Sequence, residues 1–138
     1  MEQPRVLIVD DSPLMMHIMK ESIKEAFSDV RLSGANDGEE AQKMLLNQHF
    51  DLVLCDWEMP ALKGNTLLQW LREDSSHKTV PFIMITGRGD RESILEVKEL
   101  GVTDYIVKPF TPDTLCQKVK TVLEKGGWSY PQDPGIFP

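Results

Sequence analysis

Four short apolar runs of this chain each end on residues equipped for polar chemistry. Residues 5–9 (RVLIV) close on Asp10 and Asp11, 51–55 (DLVLC) on Asp56, 80–85 (VPFIMI) on Thr86, and 105–107 (YIV) on Lys108. Gathered at one place, three carboxylates repel one another, so that either one takes a proton or a cation sits among them. An all-oxygen site of this kind suits a hard divalent ion such as Mg²⁺, which keeps some waters and takes phosphate oxygens as further ligands. A hydroxyl and an ammonium beside such a site are donors to an anion. Lysine serves as a mobile point charge there.

Those groups meet only if the runs are neighbouring strands pointing the same way. Between the runs lie stretches of helical period. After Ser12 and Pro13, a capping residue followed by proline at the first helical position, apolar residues recur at 14/15, 18/19, 22/23 and 26/27. A weaker strand spans 30–35. Asn36, Asp37 and Gly38 open a second helix to about Gln48, with Ala41, Met44 and Leu45 on one face. Residues 57–63 form a loop containing Pro60, and 64–73 a helix carrying Leu67, Leu68, Trp70 and Leu71. Asp90 caps a helix ending at Gly101, and Thr111 and Pro112 start a last helix running to about Lys125. Strand and helix thus alternate, which predicts an α/β fold: a parallel sheet covered by helices on both faces. Residues 6–9 (VLIV) and 52–55 (LVLC) are apolar without alternation, as doubly covered strands are. In such sheets ligands bind at the carboxyl ends of the strands.

Composition narrows the function classes. The 138 residues predict one domain, with 41% hydrophobic and 27% charged residues, ordinary for a globular protein. A formal net charge of −7 opposes direct nucleic-acid binding. No apolar run approaches ~18 residues, so no membrane span is expected. The first residues lack signal-peptide character, which makes the cytoplasm the expected compartment. Cys55 and Cys116 read as buried or half-buried thiols and not as a disulfide. His17, His49 and His77 share no metal-ligand spacing.

The motifs Val9-Asp10-Asp11-Ser12, Asp56-Trp57-Glu58-Met59-Pro60, Thr86-Gly87 and Tyr105 to Lys108-Pro109-Phe110 resemble those of the receiver domains of bacterial response regulators, in particular chemotaxis-regulator-like ones. The resemblance covers residues 5 to about 125. It implies a flavodoxin-like, doubly wound five-stranded parallel sheet of order 2-1-3-4-5 flanked by five helices. It implies that Asp56 is the phosphoacceptor. Asp11 and Asp56 would bind Mg²⁺ (or Mn²⁺) directly, Asp10 largely through water, and Glu58 through its backbone carbonyl. Lys108 and Thr86 would contact the phosphoryl oxygens, Gly87 would leave room for the group, and the Lys108–Pro109 bond would be cis. The implied protein is a two-component signalling switch and not an enzyme. Its donor would be a histidine kinase or histidine phosphotransfer protein, and its recipient a protein partner or an output domain elsewhere. By the same resemblance, Thr86 moves toward the phosphoryl group, Tyr105 turns inward, and the face of helix four, strand five and helix five repacks.

Two positions depart from or extend the pattern. Lys63 stands just before Gly64, where the family often has an acid. Glu58 and Arg88, each two residues beyond a site residue, are expected to pair over the site and screen it from water. Competing readings are a phosphorylation-independent interaction module on the same fold, which the full set of acids, threonine and lysine opposes, and an aspartate-nucleophile phosphatase, whose Asp-x-Asp arrangement is missing. A flavin site is disfavoured because the Asp-Asp-Ser-Pro turn repels phosphate. Helix five carries lysines and no arginine, which favours a monomer, with a phosphorylation-dependent dimer left open. Met15 and Met16 are either core filler or a soft partner surface. Residues 1–125 form the expected domain. The Pro- and Gly-rich segment 126–138, with Trp128, Tyr130, Ile136 and Phe137, is compatible with a docked tail, the start of a linker, or the end of a piece of a longer regulator.

Overall fold

Strands too apolar to alternate require cover on both faces, and they have it. The structure is a computed structural model that describes residues 2–74 and 76–130. In chain order the elements are β1 (Arg5–Val9), α1 (Pro13–Ala26), β2 (Arg31–Ala35), α2 (Gly38–Asn47), β3 (Leu52–Asp56), α3 (Gly64–Glu73), β4 (Phe82–Thr86), α4 (Arg91–Glu99), β5 (Asp104–Val107) and α5 (Pro112–Lys125). All strand pairs are parallel and the sheet order is β2-β1-β3-β4-β5.

Successive residues of the central strands feed two separate cores. Leu7, Val9, Val53, Cys55, Phe82 and Met84 pack with Ala41 and Leu45 of α2, Leu67, Leu68 and Leu71 of α3, and Val97 of α4. Val6, Ile8, Leu52, Leu54, Ile83 and Ile85 pack with Met19 and Ile23 of α1 and Leu115, Val119 and Leu123 of α5. This two-sided burial explains the unbroken apolar runs.

Helix starts follow the local sequence. The side chains of Ser12, Asp37, Asp90 and Thr111 accept the N–H of Met15, Glu40, Ser93 and Thr114, as capping residues do. Gly101, at φ 92°, ends α4 in the left-handed region. The fourth strand begins at Phe82 and not at Val80, because Pro81 has no N–H to give a ladder; its carbonyl instead accepts the Val53 N–H at 2.9 Å.

Other expectations resolve locally. Cys55 is buried and Cys116 half-buried, both free thiols. Met15 and Met16 are half-buried against the α1–α5 core. The described part of the tail packs on the domain: Trp128 and Tyr130 lie against the same core, with the Tyr130 ring edge-on to Phe27 at 5.0 Å between centroids. Ile136 and Phe137 lie outside the described residues. Among the described residues no helix is long and apolar enough to cross a membrane.

Candidate functional site

The strand order reverses direction between β1 and β3, and their register aligns Val9 with Cys55. The next residue on each, Asp10 and Asp56, therefore emerges side by side at the carboxyl edge, the crevice in which doubly wound sheets bind ligands. With Asp11, these acids place carboxylate oxygens within 4.8 Å of one another. Asp10 and Asp56 are 2% and 5% exposed, whereas Asp11 is exposed.

The two buried acids are imperfectly satisfied. Asp10 Oδ1 accepts the Ser12 N–H at 2.8 Å, while its buried Oδ2 has no partner among the described residues. Burial raises the Asp10 pKa, the Ser12 bond opposes the rise, and the negative charge of Asp56 adds to it. Burial likewise raises the Asp56 pKa, opposed first by the hydrogen bond and charge of Lys108. Lys108 Nζ lies 3.0 Å from Asp56 Oδ1. A buried carboxylate oxygen without a donor, set among two further carboxylates, fits a bound hard cation with oxygen ligands. The donor set contains no thiolate or imidazole that would favour a softer metal.

The remaining expected residues lie on β4 and β5 or in the loops that follow β3, β4 and β5. Thr86, 1% exposed, ends β4, and its Oγ1 accepts the Arg88 N–H at 2.8 Å. The Thr86 carbonyl accepts the Lys108 N–H at 2.7 Å, which ties the ends of β4 and β5 together. The Lys108–Pro109 bond is cis, as expected. A Cβ placed on Gly87 would meet nothing within 4 Å, so open space lies there. The Glu58 carboxylate pairs with the Arg88 guanidinium, as expected. Tyr105 is not in the acidic cluster. It aligns with Met84, two positions before Thr86 on β4, and lies half-buried against the core beneath α4.

Two features of the site escaped the sequence reading. A Cβ on Gly64 would lie 2.5 Å from the Asp56 carbonyl oxygen and 2.9 Å from the Trp57 Cα, so the start of α3 rests directly on the end of β3. Ala61 holds φ 66° in the loop between them. The only sequence signal was a glycine at a helix start, and it does not reveal which backbone lies opposite. Lys63 is exposed and caps α3 without a side-chain bond. The histidines lie elsewhere: His17 is exposed, His49 meets Asp51, and His77 Nε2 bonds the Leu45 carbonyl oxygen.

Comparison with known proteins agrees with this fold. Residues 6–120 match the family model described as the response regulator receiver domain. The chain is 40% identical to chemotaxis protein CheY-3 of Vibrio cholerae, over 88% of this chain and 92% of that one. It is 36% identical to chemotaxis protein CheY of Pseudomonas aeruginosa, over 88% and 97% of the respective chains. Among solved structures, the chemotaxis response regulator CheY4 of Vibrio cholerae superposes with a TM-score of 0.81 at 30% identity, covering 88% of this chain and 99% of that one. The receiver domain of Francisella response regulator 1452 does so with a TM-score of 0.82 at 29% identity, covering 90% and 99%. With its strand-end acids, hydroxyl and ammonium mounted on this sheet order, the chain belongs to the response regulator receiver domains, a family of signalling modules built on the flavodoxin-like fold.

Proposed function

We propose that this receiver domain accepts a phosphoryl group on Asp56 from a phosphohistidine of a histidine kinase or histidine phosphotransfer protein, and switches a protein–protein interaction in response. The observation that carries this reading is the pairing of a buried acidic cluster with one ammonium: three carboxylates within 4.8 Å, and Lys108 Nζ 3.0 Å from Asp56 Oδ1.

Asp10, Asp11 and Asp56, with the Glu58 carbonyl, would hold Mg²⁺ or Mn²⁺. The bound ion supplies charge neutralisation for an anionic phosphoryl group. An Asp56 carboxylate oxygen attacks phosphorus, the P–N bond to the donor imidazole breaks, and the electron pair leaves with that nitrogen. The product is an acyl phosphate on Asp56. Catalysis of such a transfer is mainly alignment and charge stabilisation. Lys108 already points its ammonium at the acceptor carboxylate. The Thr86 hydroxyl accepts from Arg88, which leaves its own proton free to be donated to a phosphoryl oxygen.

The acyl phosphate adds nearly two negative charges at one point. Drawing Thr86 toward it breaks the Arg88 bond and opens space beneath β4 for Tyr105, which repacks the face of α4, β5 and α5. Residues 1–125 act as the receiver unit, with 126–138 as a tail or linker, in the cytoplasm. The similarity to proteins named for chemotaxis supports a protein recipient, such as a flagellar motor component, in place of DNA. The protein is a monomer at rest.

Incubation with Mg²⁺ and a small-molecule phosphodonor such as acetyl phosphate tests the reading. The parent protein is expected to gain one phosphoryl group and Asp56→Asn none. Equal labelling of the two, or no affinity of the parent for Mg²⁺, overturns it.

A further inference from the structure

Two ammonium groups contributed by different helices lie within 5.9 Å of the Tyr105 ring centroid. Lys98 Nζ, from the last turn of α4, is 5.9 Å from the ring centroid, and Lys118 Nζ, from the middle of α5, is 5.7 Å from it. Both lie within the range in which a cation is attracted by an aromatic quadrupole.

The second of these cations is fixed in place. Lys118 Nζ is 3.1 Å from both Asp104 carboxylate oxygens. Asp104 Oδ1 in turn accepts the Tyr105 N–H at 2.8 Å. β5 is an edge strand, and this bond occupies the N–H of the switch residue itself. One carboxylate therefore holds both the backbone of Tyr105 and the cation beside its ring. Lys98 is exposed and has no such anchor among the described ion pairs.

We propose that Lys98 and Lys118 are positioning residues that hold Tyr105 between α4 and α5 and so set the resting bias of the switch. This rests on the reading of Tyr105 as the element that turns inward. A ring that moves toward β4 leaves both ammoniums, and each lost contact shifts the ratio of the two ring positions by about two- to fivefold. Lys118, held by Asp104, carries the larger share. Phosphorylation must overcome this bias, so a protein lacking both lysines is already part-switched without a phosphoryl group.

The experiment is ¹⁹F NMR of the full chain labelled with 3-fluorotyrosine, with Tyr130→Phe used to assign the Tyr105 signal. Lys118→Met and Lys98→Met are each expected to raise the inward population of the unphosphorylated protein about two- to fivefold, the double variant by about the product, and Lys118→Arg to restore the parent ratio. Asp104→Asn shifts the ratio in the same direction as Lys118→Met but less. Unchanged populations in the Lys98→Met/Lys118→Met double variant, or a shift in Lys118→Arg equal to that in Lys118→Met, overturn the inference. Phosphorylation of the parent provides the separate control. If Asp56 becomes labelled while the Tyr105 signal stays put, Tyr105 is not the switch, and the proposed readout fails before the lysines are considered.

Discussion

The Arg88 guanidinium bonds the Glu58 carboxylate and at the same time lies 4.8 Å above the centroid of the Trp57 ring. It thus bridges the loops that follow β3 and β4, the strands ending in Asp56 and Thr86. Its backbone N–H also holds the Thr86 hydroxyl, so one residue touches the side of the site, its cover and its proposed switch.

That arrangement predicts an effect on access larger than on stability. The two side chains are 42% and 48% exposed, and exposed pairs contribute about 0–1 kcal/mol. Arg88→Ala is expected to change the urea midpoint little and to hasten loss of the phosphoryl group several-fold, as water gains entry. Glu58→Gln should do the same more weakly, since the stacking of Arg88 on Trp57 survives. Dephosphorylation rates of the purified phosphoproteins decide; a rate in Arg88→Ala equal to that of the parent rules the screen out.

Gly64→Ala tests the contact between α3 and the end of β3. The new methyl would collide with backbone and not with a flexible side-chain tip, the Asp56 carbonyl oxygen being 2.5 Å away. Overpacking of this kind costs about 1–3 kcal/mol. Urea denaturation should show that loss, and calorimetric titration with Mg²⁺ should show weaker binding, because relief of the clash moves the backbone of Asp56. Gly87→Ala, whose methyl meets open space, serves as the comparison and should leave stability nearly unchanged.

Stability without divalent ions should fall as pH rises through the raised pKa values of Asp10 and Asp56. Burial raises both above the ordinary value of 3.8, so the folded state holds these protons more tightly than the unfolded chain does. Their contribution is complete below that ordinary value and is lost as pH climbs past the folded values. Asp10→Asn removes one of the two charges and keeps an oxygen for the Ser12 N–H. It should therefore raise the Tm at pH 7 in chelator, with the gain shrinking as pH falls toward 3.8. Mg²⁺ should stabilise the parent more at pH 7 than at pH 5, since protons compete for the same oxygens, and Asp10→Asn less than the parent. Thermal melts with and without Mg²⁺ measure all three; a parent Tm indifferent to Mg²⁺ at pH 7 contradicts the acidic cluster as a cation site.

Ala61 at φ 66° occupies a region that costs an L-residue about 1–2 kcal/mol. Glycine adopts it freely but loses more entropy on folding. Ala61→Gly should accordingly stabilise the protein by a net ~0.5–1 kcal/mol, read from denaturant unfolding.

Much of this protein is written in local sequence. Ser12, Asp37, Asp90 and Thr111 mark helix starts because a capping side chain reaches an N–H only three residues away. The unbroken runs ending in Asp10 and Asp56 announce doubly covered parallel strands, because burial on both faces removes any need for polar alternation, and the runs ending in Thr86 and Lys108 complete the set of strand ends. Those strand ends together name the candidate chemistry. Contacts between elements belong to the tertiary structure, since they depend on register and packing across residues distant in the chain. Of the apolar residues on α1, Met19 and Ile23 are buried while Leu14 and Ile18 are 70% and 40% exposed, and only the seating of that helix against α5 separates the two sets. The same holds for the Asp10 oxygen without a partner among the described residues, the backbone pressed against Gly64, and the two lysines near the Tyr105 ring. Each arises where two elements meet, and periodicity within one segment carries no record of what lies opposite.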